Sequence, residues 1–177
     1  MVGVRSIIAI DPGYARGGKG CAVAEFLDAR LVRVYFARAE SACPPPYRVD
    51  VVAWEIPTAD ARSRAKDANV LIRLAAAGAS LAGVLAQATG ATIEAVTPVQ
   101  WKGATAKPVQ HARMWRSLDA IEHALLGGDA TLTAIRAAQR KGALDRWGKP
   151  GGAYYPASFA THNLLDAVGI GMWRLGR

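Results

Sequence analysis

Residues 6–13 read Ser6-Ile7-Ile8-Ala9-Ile10-Asp11-Pro12-Gly13. A short unbroken apolar run of this kind belongs to a strand covered on both faces, and the Pro-Gly pair ends it. Cys21 to Phe26 and Leu31 to Arg38 read as two further strands, joined through Leu27-Asp28-Ala29-Arg30 as a hairpin. Ser41 to Tyr47 holds Pro44-Pro45-Pro46, which excludes a regular helix. Asp50 to Ile56 is a fourth strand stopped by Pro57, and Ala91 to Val96 is a fifth. Between these two strands, Leu71, Leu74, Gly78, Leu81 and Leu85 recur three and four apart and predict a helix from about Ala68 to Ala88. Its small residues allow close approach to a sheet or to a second subunit. Further helices are predicted over Val109–Leu126 and Ala130–Lys141. A Gly/Pro/Tyr-rich loop from Trp147 to Phe159 leads to a last helix, Ala160–Leu175. With no internal repeat or linker, this order predicts one mixed α/β domain over residues 1–177.

Composition narrows the function. The chain has 177 residues, of which 51% are apolar and 20% charged, the balance of a globular protein. The longest uncharged apolar run, Leu74 to Ala86, is too short to cross a bilayer. No secretory leader is expected from the first residues. Cys21 and Cys43 lack zinc-type spacing and read as free thiols of a reducing, cytoplasmic setting. Net charge is +8, and residues 101–150 alone hold nine bases against four acids. Such a surface draws in polyphosphate, and a merely solubilising basic face has the same composition.

Three carboxylates stand where a carboxylate is costly. Asp11 ends an apolar strand on the face of Ile7 and Ala9, although an aspartate before Pro-Gly also suits a turn. Glu55 lies within Val51-Val52-Ala53-Trp54-Glu55-Ile56-Pro57, where burial demands a partner, an ion or a strand end. Asp166 enters the apolar run Leu164 to Trp173, with His162 four residues and Asn163 three residues before it on the same helical face. A structural His–Asp pair is the alternative account, but a polar row entering an apolar helix favours a ligand. Brought together at one sheet end, the three acids are the oxygen ligands that Mg²⁺ or Mn²⁺ prefers. Two such ions about 3.5–4 Å apart activate water and stabilise the leaving oxygen of a phosphodiester. Lys102 and Lys107, after the fifth strand, suit a phosphate, and Trp101 is either a core residue or a base-stacking one.

The segments Ile7–Gly13, Val51–Pro57, Pro98–Lys107 and His162–Trp173 occur in an order that resembles the RuvC-like Holliday junction resolvases of the RNase H-like superfamily, notably their smaller phage and viral branch. The resemblance spans nearly the whole chain. It implies a mixed five-stranded sheet, an antiparallel meander plus parallel strands, flanked by helices. It implies a metal-dependent, structure-selective DNA endonuclease acting as a homodimer on branched DNA, in a bacterial cell or phage-infected host. Neither a membrane nor a nucleotide cofactor is expected. Asp11, Glu55 and Asp166 match the family's metal-binding acids, and Lys102 and Lys107 its phosphate-binding lysines. Arg62 and Arg64, in the polar segment after the fourth strand, join them as expected nucleic-acid contacts. The family often places Asp or His three residues before its final aspartate. Here that position is Asn163, with His162 one step earlier and the better ligand and base. The helix that bacterial members carry between strands three and four, and the aromatic residue soon after their glutamate, are both missing. Competing readings are a related nuclease for structured RNA, a DNA-binding module without catalysis, and an actin-like ATPase. The last needs a second glycine-rich half that 177 residues do not supply.

Overall fold

The computed structural model describes residues 5–13, 20–58, 68–141 and 161–177. Strands β1 (Ile7–Asp11), β2 (Cys21–Leu27), β3 (Arg30–Ala37), β4 (Val51–Glu55) and β5 (Thr92–Val96) form one sheet in the order β3-β2-β1-β4-β5. β2 runs antiparallel to β1 and β3, whereas β4 is parallel to β1 and β5 parallel to β4. This is the meander with parallel strands beyond it that the sequence predicts. The unbroken apolar run of β1 follows from its place at the centre, with strands on both sides and helices on both faces.

The helices are α1 (Ala68–Thr89), α2 (Pro98–Lys102), α3 (Lys107–Arg116), α4 (Ala120–Leu125), α5 (Gly128–Lys141) and α6 (Thr161–Leu175). The pleat of β1 sends Ile8 and Ile10 toward α1, and Ile7 and Ala9 toward α6. At 22 residues α1 has the length and apolarity to span a membrane; Gly78, Leu81 and Leu85 are buried in the core it shares with the sheet, and most of the rest of the helix is not buried. A Cβ on Gly78 would stand 2.8 Å from Pro12 and 3.0 Å from Trp54, so the small-residue stripe is used within the chain, against the sheet. The loop from Trp147 to Phe159 lies outside the described residues.

One expected helix is two. Val109–Leu126 breaks after Arg116, because Asp119 caps α4 by accepting from the backbone N–H of Ile121 and Glu122, both at 2.9 Å. Glu122 in turn accepts from the Asp119 N–H at 2.9 Å. This reciprocal box starts a new helix where the apolar period alone runs on. Glu122 is 2% exposed and also receives the Leu31 N–H at 2.8 Å and the Arg177 guanidinium at 2.7 and 3.0 Å. That guanidinium also donates to the carbonyls of Ala29 at 2.8 Å and Ser117 at 3.1 Å.

The proline-rich segment is pinned by Tyr47, whose hydroxyl donates to buried Glu25 at 2.9 Å, beside Tyr35 at 2.7 Å. The β2–β3 turn is tight. Asp28 and Ala29 have φ of 49° and 62°, the left-handed pair of a type I′ hairpin, in which glycine is the favoured second residue. Ala29→Gly is therefore expected to raise stability by about 0.5–1 kcal/mol. A urea midpoint that moves up at unchanged slope is the check; a lower midpoint would count against the strain.

Candidate active site

β1 and β4 are parallel neighbours registered with Ile10 against Trp54, so one step further Asp11 and Glu55 stand side by side at the C-terminal ends of their strands. Both share the pleat of Ala9 and Ala53 and so face α6. That helix brings Asp166, 3% exposed, to the same place. It sits close to the sheet because it carries glycine at two contacts. A Cβ on Gly169 would lie 2.5 Å from the Trp101 ring, and one on Gly171 would enter the ring of Phe26. The three acids of the sequence reading therefore lie within electrostatic reach of one another, Asp166 and Glu55 both acting on Asp11.

The residues around them come from α2 and α3. Trp101 is 4% exposed and donates its indole N–H to Glu55 Oε2 at 2.5 Å. It is thus a core residue that orients the glutamate, and the base-stacking alternative falls away. The Lys102 ammonium lies 4.9 Å from the Trp101 ring centroid, and its charge acts on Glu55. Lys107 opens α3, and its ammonium is ion-paired with Asp166 Oδ2. The same ammonium lies 3.3 Å from Nδ1 of His162. Asn163 projects its amide toward Gly13, 3.9 Å from where a Cβ would stand. Arg62 and Arg64 lie outside the described residues.

One contributor escaped the sequence reading. His111, fully buried on α3, places Nε2 2.9 Å from Asp166 Oδ1. Asp166 is therefore held on one oxygen by an imidazole and on the other by an ammonium. The available signal was the i, i+4 spacing of Lys107 and His111, which puts both on one face of α3.

The charges are strongly unequal. Burial, then the charges of Asp166 and Glu55, push the Asp11 carboxyl well above its ordinary range. Burial also raises Glu55, although Lys102 and the Trp101 N–H act against it. For Asp166 burial acts in the same direction but is outweighed by Lys107 and by the His111 hydrogen bond, so its carboxyl stays far below the usual value. Burial works to deprotonate Lys107, yet Asp166 and Asp11 together hold it as an ammonium. Burial and Lys107 lower His162 to about 4, leaving it neutral at physiological pH. Cys21, beside this cluster, is raised to about 11 by burial and is unreactive.

In chemistry the donor set fits a hard divalent cation. Asp11, Glu55 and Asp166 are desolvated oxygen donors that destabilise one another's charge, and a cation relieves that repulsion. In arrangement the set is not closed. Among the described residues no three His, Cys, Asp or Glu side chains are drawn around one point, and the cation seated on Asp166 is Lys107.

Strand order and strand direction define a mixed five-stranded α/β sheet flanked by helices, the architecture expected from the sequence resemblance. Among solved structures the chain is similar to T. thermophilus RuvC, a structure determined in complex with Holliday junction substrate. The two are 18% identical, with 95% of this chain and 91% of that chain covered and a TM-score of 0.48. No protein-family model and no curated protein matches the sequence.

Proposed function

We propose that this protein is a metal-dependent endonuclease that cuts branched DNA, with the four-way junction as its substrate. The observation that carries the reading is the convergence of Asp11, Glu55 and Asp166 from β1, β4 and α6 at one end of the sheet, with two lysines beside them. Asp11 and Glu55, desolvated and within reach of the Asp166 charge, weigh against the fold unless a cation joins them, and active sites are where such perturbed acids gather.

Mg²⁺ or Mn²⁺, two per site, supplies the activated water and the stabilisation of the leaving oxygen when bound. Asp11, Glu55 and Asp166 are the holders, and Trp101 keeps Glu55 turned toward the site. His162, neutral because burial and Lys107 lower it to about 4, assists as an uncharged neighbour of the acids. Asn163 stands beside the Pro12-Gly13 turn as a polar neighbour of the substrate. Lys102 neutralises a phosphate, and Arg62 and Arg64 are the further nucleic-acid contacts expected from the sequence. Two copies act together on opposed strands of the junction. The stripe of α1 already packs on the sheet, so the pairing surface is drawn from outward residues such as Ile72 and Ile93, 65% and 50% exposed.

The test is a panel of four-way junction, flap, duplex and hairpin RNA incubated with purified protein and Mg²⁺ or Mn²⁺. Junction cleavage that disappears with a chelator is the expected result. A protein that leaves every DNA intact, or that prefers the RNA, refutes the proposal.

A further inference from the structure

Both oxygens of Asp166 are already engaged, one by His111 at 2.9 Å and the other by Lys107. Each oxygen keeps a second lone pair, but a divalent ion on either one meets the group already there, and on Oδ2 that group is itself a cation. His111 is fully enclosed and cannot leave without opening the core. Lys107 keeps a third of its side chain exposed, on a flexible four-carbon stem. It is the partner that moves.

Local forces do not explain a lysine there. Lys107 is the first residue of α3, where the helix dipole disfavours a cation, and no acid stands in that first turn. Its charge is held by Asp166, with Asp11 and Glu55 within electrostatic reach and His162 Nδ1 at 3.3 Å. Withdrawing it alone would leave three carboxylates facing one another. Withdrawal becomes favourable only when a divalent ion replaces it and another anion receives it.

Resting on the nuclease reading, which makes that second anion a nucleic-acid phosphate, we infer that Lys107 is the resident cation of this site, and that it must pass from Asp166 to a substrate phosphate before a divalent ion can occupy the carboxylates. Metal and DNA binding are then mutually reinforcing, by the same factor in each direction. Without DNA the site stays closed to metal. The coupling keeps a loaded hydrolytic centre from forming away from its substrate.

The test is Mn²⁺ affinity, followed by electron paramagnetic resonance of the free ion, with and without a phosphorothioate four-way junction that resists cleavage. Asp166→Asn with the same junction subtracts Mn²⁺ held by DNA alone. Wild type should bind Mn²⁺ at least about tenfold tighter when the junction is present, within the usual range of coupling between sites. Lys107→Met should bind Mn²⁺ at least about tenfold tighter than wild type without DNA, and should lose the increment that DNA adds. Equal or weaker Mn²⁺ binding by Lys107→Met, or an increment that survives in it, overturns the inference. Should Lys107→Met not fold, by circular dichroism, Lys107→Gln takes its place. In wild type the Lys107 side-chain ¹⁵N resonance gives an independent reading. It should be unmoved by Mg²⁺ alone and shift when Mg²⁺ and junction are added together; a shift with Mg²⁺ alone overturns the inference. Cleavage by wild type with no gain in Lys107→Met leaves the nuclease reading standing and removes this one. A protein that neither cuts nor binds Mn²⁺ under any of these conditions removes both.

Discussion

Asp11→Asn is expected to abolish junction cleavage while making the metal-free protein more stable. The loss should be on the order of 10²–10³-fold or greater, the scale on which one electrostatic stabiliser of a transition state is measured. The gain follows from the direction of the Asp11 shift. Burial raises this carboxyl first, and Asp166 and Glu55 raise it further. A group whose folded value is raised contributes stability only while protonated, and that contribution disappears as pH climbs through the folded value. As pH climbs above the ordinary aspartate range, Asp11 therefore weighs increasingly against the fold. Asparagine is nearly the same shape without the charge, and should return about 1–3 kcal/mol, the usual cost of a buried polar group left unsatisfied. Thermal melts in a chelator from acidic to neutral pH are the measurement. The two proteins should converge at low pH and separate as pH rises, with the variant melting higher. A variant that melts lower throughout, or that still cuts, contradicts the assignment of Asp11.

Gly171→Ala is the second large effect, and it acts on the fold. Gly171 lies in α6 where the helix crosses β2, and an added Cβ would fall inside the ring of Phe26. Phe26 is fully buried among the core residues that α6 packs against. Either the ring or the helix must shift, and such overpacking costs about 1–3 kcal/mol or more. For a domain of this size that corresponds to a loss of about 3–10 °C in Tm. Because α6 also carries Asp166, the same shift draws the carboxylate away from Asp11. Gly83, in α1, is the control, since a Cβ there meets nothing within 4 Å. Gly83→Ala should leave the melt unchanged or raise it. Equal behaviour of the two variants would mean that α6 does not rest on Phe26 as described.

The sheet was legible because its signals are local and periodic. An apolar run ended by Pro-Gly, a hairpin, and a strand stopped by proline each follow from a few adjacent residues; the way the strands join into one sheet was implied by the family resemblance and is the arrangement found. Asp11, Glu55 and Asp166 were legible for a related reason, since each breaks an apolar pattern that has to be buried. What the pattern does not encode is partnership across the chain. Lys107 reads as a phosphate-binding or ordinary surface lysine after a loop, yet its charge is committed to an aspartate 59 positions away. His111 reads as one polar residue on an amphipathic helix, and only the packing of α3 against α6 turns it toward Asp166. Trp101 could have been a core or a surface residue until Gly169 supplied the seat for its ring. The break between α3 and α4 was readable in Asp119 and Glu122, but the apolar period running through both helices masked it.

The Arg177 guanidinium ties together places far apart in the chain. It joins the β2–β3 turn at Ala29, the α3–α4 junction at Ser117 and the head of α4 at Glu122, all from just beyond the end of α6. Undocking α6 therefore releases the hairpin tip and leaves the Glu122 carboxylate without its cation. The hairpin, α4 and the acid-bearing helix accordingly open as one cooperative unit, so partial unfolding that spares the meander is costly. The segment that holds Asp166 thereby inherits the rigidity of the sheet edge most distant from it in sequence.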